Sequence, residues 1–109
     1  MTRHSDLIIG SKHLGNSIAH SLKIEFTNEP ESVNKMQNEE IEYRSQGLSK
    51  LFDHTWTDSE KKEIESRVIK RVNEILNEPK NNDILIKISD EVLEQKIKQH
   101  LFQFLKALN

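Results

Sequence analysis

TDSEKKEIESRVIKRVNEIL, Thr57–Leu76, is the stretch whose periodicity decides the fold class. Its first four residues have the T-x-x-E form of a capping box, in which a threonine hydroxyl and a glutamate carboxylate satisfy N–H groups that the first helical turn leaves unpaired. Asp58 and Glu60 also complement the positive end of the helix dipole. Ile64, Val68, Val72 and Ile75 then recur at helical spacing as a central apolar stripe, flanked by Ile69 and Leu76. On the opposite side Glu63 and Arg67, and Lys70 and Glu74, stand four apart and can pair for about 0.2–0.5 kcal/mol each. The stretch is an amphipathic helix with a wide apolar face.

Downstream, Asn77 to Asp83 breaks this helix with Pro79 and two adjacent asparagines. Ile84, Ile86 and Ile88 alternate, as in a short strand or a buried loop. Ser89 is a suitable N-cap, and Ile88 and Leu93 have the spacing of a hydrophobic staple. A last helix is expected from Asp90 onward, with Leu93, Ile97, Leu101, Phe104 and Leu108 as its stripe and Leu105 at the edge. Phe102 stands about 130° from that stripe at 100° per residue, among Lys98 and Lys106, so it plugs a second neighbour or faces water.

Upstream the pattern is weaker. Trp56 reads as core, with His54 exposed beside it; Asp53 and His54 are adjacent, but neighbours in sequence point in different directions and do not make an acid–base pair. Leu48, Leu51 and Phe52 suit a short turn after Gly47, which offers a helix stop. Glu31 to Ser45 is weakly helical, and Pro30 suits its first turn. Leu22, Ile24 and Phe26 alternate with Lys23 and Glu25, as in a half-buried strand. Gly10 to Ser17 reads G-x-x-x-x-G-N-S, one residue short of a phosphate-binding loop, but Asn16 occupies the place of the lysine whose charge such a loop needs. Gly10 and Gly15 read instead as punctuation in a flexible arm.

These patterns predict a predominantly all-α domain of three or four helices built on a C-terminal helix pair, with residues 1–20 as a flexible N-terminal arm and 21–109 as the domain. The alternative is an α+β fold in which 22–26 pairs with 84–88.

A chain of 109 residues has room for one modest core, burying roughly 65% of the unfolded surface. Apolar residues make up 34% and charged residues 31%, which is lean for a monomer and suits a chain that completes its core with a second copy. The net charge of −2 gives no strong field for nucleic acid or an anionic membrane. The absence of cysteine excludes disulfides and thiolate chemistry, and no run reaches the roughly 20 apolar residues of a membrane span, so the expected location is cytoplasmic.

No catalytic constellation is evident. The five histidines include no pair three or four apart, so neither a metal nor any other cofactor is expected. The expected function is therefore a small non-enzymatic protein-interaction or regulatory module, acting as a homodimer through Ile69, Leu76, Phe102 and Leu105, which one helix pair cannot cover. The first alternative is a nucleic-acid-binding regulator using Arg3, Lys12 and Lys23 or the Arg67–Arg71 face. An immunity, chaperone or antitoxin component is the second, consistent with size and helicity alone.

Overall fold

A computed structural model of the chain describes residues 2–27, 29–81 and 88–108. Four α-helices occur among them: α1 (Arg3–Phe26), α2 (Val33–Phe52), α3 (Asp58–Leu76) and α4 (Asp90–Ala107). Single 3₁₀ turns at Pro30–Ser32 and Pro79–Asn81 precede α2 and follow α3. The described residues form a small all-α domain without strands. The strand expected at Leu22–Phe26 is the last turn and a half of α1, where Leu22 is buried and Ile24 and Phe26 are half-buried. Three alternating apolar residues are too few to override a helix already propagating through the preceding turns. Of its proposed partner strand, residues 84–87 lie outside the described residues.

The largest difference from the sequence reading concerns the N-terminus. The stretch expected as an arm is most of α1, which begins with the Thr2 hydroxyl accepting from the Ser5 N–H and runs unbroken past residue 20. It is also the packing centre, contacting α2 and α3 far more extensively than α3 contacts α4. Leu7, Leu14, Ile18, Ala19 and Leu22 supply its apolar side, and Gly10, Ser11, Gly15, Asn16 and Ser17 are buried with them.

Small residues allow α1 to meet two helices at close range. Asp6 meets His54, Gly10 meets Leu51 and His20 meets Glu39, residue numbers rising on α1 while they fall along α2, so the two are antiparallel. At their crossing a Cβ placed on Gly10 would lie 2.7 Å from Leu51 Cγ and 3.2 Å from the Gly47 carbonyl oxygen. One placed on Gly47 would lie 2.9 Å from Leu14 Cδ2 and 3.1 Å from the Gly10 oxygen. Thus Gly47 does not stop α2; it lets α1 and α2 touch backbone to backbone. Gly15 does the same against α3, where a Cβ would come within 2.6 Å of Arg71 Cβ. Arg3 pairs with Glu60 and Asn16 with Arg71, so α1 and α3 run parallel.

The second half matches its sequence signals closely. Both hydrogen bonds of the Thr57/Glu60 capping box form, and the Ser89 hydroxyl accepts from the Val92 N–H. Ile64, Val68, Val72, Ile75, Leu93, Ile97 and Leu101 are buried, as are Ile88 and Leu93 of the staple.

Candidate functional site

Because α4 is held less extensively than the other helices, a groove of about 320 Å³ remains between it and α3. Ile69, Leu93 and Ile97 give the groove its apolar lining, and Asn73, Asp90 and Glu94 are its polar members. Of the four residues expected to bind a partner, Ile69 lines this groove, half-buried on the α3 side. Leu76 is a correction: it is fully buried within the core and presents nothing to a partner. Its flanking position on the helical wheel is covered by the rest of the bundle, to which most of residues 1–20 belong as part of α1.

Leu105 is half-buried against the core, whereas Phe102 is 67% exposed, more than the other large apolar surface residues Ile8, Ile41, Phe52 and Val92. At about 100° per residue, Glu94, Leu105, Lys98 and Phe102 fall within a sector of about 80°. The groove's acidic residue Glu94 and the exposed aromatic therefore share one flank of α4. Lys98 lies between them and pairs with Glu94 at 3.0 Å.

Two polar clusters lie elsewhere. At the end of the bundle where α1 starts and α2 finishes, the His54 Nε2–H donates to Asp6 Oδ2 at 2.7 Å, and Lys50 approaches Asp6 Oδ1 at 4.0 Å. The His54 hydrogen bond, aided by Lys50, holds the Asp6 carboxyl below its ordinary range although burial opposes this. Trp56 is buried, donates from its indole N–H to the Leu51 carbonyl at 2.8 Å, and lies tilted against the His54 ring with centroids 5.1 Å apart. Arg3 lies over the same indole, donates to both Glu60 oxygens at 2.8 and 2.6 Å, and also reaches the Thr55 carbonyl. These bonds and the Thr57 N–H push Glu60 down to about 2.

This cluster contains the carboxylate–imidazole half of a catalytic triad, formed by residues 48 apart in the chain. A third member would be a hydroxyl or thiol within hydrogen-bond reach of the imidazole. The imidazole is engaged by Asp6 and lies against Trp56. The geometry is that of a latch joining α1, the α2–α3 connection and α3. No local spacing could have revealed it, because Asp6 and His54 belong to different helical ends.

Along the α1–α2 interface, Tyr43 stacks on His13 with centroids 6.0 Å apart and tilts against His20 at 5.2 Å. Both His20 ring nitrogens face acceptors, the Asn16 carbonyl at 2.8 Å and Glu39 Oε2 at 2.9 Å. Burial lowers the His13 pKa, with help from Lys12 and Lys50. His13 and His20 hold the two helices together through Tyr43 and Glu39, a contact made by polar rings where α2 has few apolar side chains to offer.

No known protein family, curated protein or solved structure matches this chain. Function must accordingly be read from its own surface. Among the described residues no group of three or more potential ligands could hold a metal ion, and no helix is long and apolar enough to cross a membrane. Three of the arginines in the candidate nucleic-acid faces are engaged within the fold: Arg3 by Glu60, Arg67 by Glu63, and Arg71 by Asn16 and Glu74. Each such bond would compete with a phosphate, and neither face gains a cluster of uncommitted guanidinium groups.

Proposed function

We propose that this protein is a non-catalytic interaction module that binds a protein partner along the flank formed by α3 and α4. The observation that carries this reading is the composition of the groove, an apolar lining of Ile69, Leu93 and Ile97 with Asn73, Asp90 and Glu94 beside it. An apolar centre with a polar rim is the anatomy of a protein–protein contact, and a helix laid in a groove is one of its common forms. Leu105 and Phe102 extend the apolar surface beyond the groove on the α4 side.

The test is site-specific photocrosslinking in the native source and with the purified chain, placing the crosslinker at position 69 and, as a control, at exposed Gln99. Discrete protein adducts at 69 that are absent at 99 are expected. No protein adduct at 69 in either setting would overturn the proposal.

A further inference from the structure

Resting on that reading, we infer that the occupant of the α3–α4 groove is a basic amphipathic helix of another protein, its apolar stripe on Ile69, Leu93 and Ile97 and its cationic side chains against Asp90 and Glu94. The lining of the groove narrows the choice. An extended peptide adds to a free sheet edge, and the described residues contain no strand. A proline-rich segment docks on aromatic side chains and a phosphorylated or acidic one on arginines; the described lining holds neither. A helix seated between two helices remains, anchored by apolar residues at helical spacing. Leu93 and Ile97 stand one turn apart, ~6 Å along α4, and Ile69 completes the floor from α3. Ile69 also borders a second depression, with Lys62, Glu65 and Ser66, so the hollow continues along α3. From Glu65 to Asn73 it runs ~12 Å, the length of about two turns of an incoming helix.

Charge selects the sign of the occupant. Both charged residues of the described groove lining, Asp90 and Glu94, are carboxylates, and both are exposed beside the apolar floor. Lys62 and Glu65 of the adjoining depression offset each other and leave that balance negative. Glu94 holds Lys98 of its own helix at 3.0 Å, but both side chains are more than half exposed, so water screens the pair and an incoming cation can take the place of Lys98. A helix with lysines or arginines beside its apolar stripe therefore meets opposite charge at the rim, whereas an acidic helix meets its own sign.

The probe is an amphipathic peptide of about 15 residues built from leucine and lysine, with the leucines at helical spacing, compared with its leucine–glutamate counterpart. In an NMR titration of the isotope-labelled full chain, the leucine–lysine peptide should shift the amides of Ile69, Asn73, Leu93 and Ile97 saturably, and the acidic peptide should not. Asp90→Asn and Glu94→Gln, exposed changes whose folding circular dichroism checks, should each weaken binding about two- to fivefold. Lys98→Gln should strengthen it by a similar factor because it frees Glu94, whereas Lys35→Gln, the same loss of charge on α2, should leave it unchanged. The inference is overturned if the two peptides bind alike, if the shifts fall on α2 around Glu39 and Glu42, if the substitutions change nothing, or if millimolar peptide shifts nothing. Adducts at position 69 with another protein, together with no response to the leucine–lysine peptide, would leave the interaction module standing and remove only the basic helix. Adducts there with a second copy of this chain alone would also remove it.

Discussion

Gly10→Ala should destabilise this protein, although alanine is the better helix former. In an ordinary helix interior the exchange gains about 1 kcal/mol. Here the new Cβ would lie 2.7 Å from Leu51 Cγ and 2.8 Å from Leu51 Cδ2, with the Gly47 carbonyl oxygen at 3.2 Å. Leu51 is fully buried, so its branch point cannot swing into solvent, and α1 and α2 must separate instead. Overpacking of a close contact costs about 1–3 kcal/mol, which leaves a net loss of about 1 kcal/mol. Urea denaturation should show a lower midpoint at unchanged slope. Gly10→Ala combined with Leu51→Ala supplies the decisive comparison. Leu51→Ala alone should cost about 2–5 kcal/mol through the cavity it opens. Because the added methyl group occupies part of that cavity, the double variant should be less destabilised than the sum, by about 0.5–3 kcal/mol of coupling. A Gly10→Ala protein more stable than wild type, or strict additivity in the double variant, would refute the close helix crossing.

Completing the near-miss loop with Asn16→Lys should not create nucleotide binding, since Gly10–Ser17 is continuous helix; it should remove the bond from Arg71 Nε and place an ammonium beside that guanidinium, lowering stability by about 1.5–3 kcal/mol, as thermal unfolding and a nucleotide titration would show. Acidification should destabilise the fold in two windows. His13 and His100 have pKa values lowered chiefly by burial, so the unfolded chain binds more protons below 6.5 and their contribution is complete only above that pH. Glu60, lowered from 4.5 to about 2 chiefly by its bonds from Arg3, contributes above 4.5 and loses that contribution as pH falls toward 2. Proton NMR titration should place both histidine midpoints below 6.5, and Arg3→Gln should flatten the lower window; midpoints above 6.5 would contradict the first part. Thr57→Ala should cost about 1 kcal/mol by removing the capping box at the start of α3.

How much of the fold could be read in advance depended on which physics held each helix. α3 and α4 are stabilised by local caps and by large apolar side chains at helical spacing, and both signals are written in sequence. α1 also buries Leu7, Leu14, Ile18 and Leu22 at helical spacing, but Gly10, Ser11, Gly15, Asn16 and Ser17 are buried among them through the close approach of other helices, which leaves no hydropathy signal. The same glycines that serve as contact points read as turns when the partner helix is unknown. α2 has Gly47 and Leu51 as its buried residues and depends on His20, Tyr43 and His54 contacts that span long stretches of chain. For the candidate site, helical periodicity places Ile69, Leu105 and Phe102 outside the fully buried core, as the structure does, because position on a wheel is a local property. It misplaced Leu76, whose cover comes from elements it had not recognised, and it gave no hint of the groove, which exists only once α3 and α4 are set side by side.

Hydrogen exchange of the wild-type chain alone and with the leucine–lysine peptide tests the interaction flank most directly, because it locates the contact as well as detecting it. Amides around Ile69–Asn73 and Asp90–Ile97 should gain protection with the peptide while the outer face of α2 around Ile41 does not. Unchanged exchange along both α3 and α4, or protection gained at Ile41 and Phe52 instead, would contradict binding through this flank.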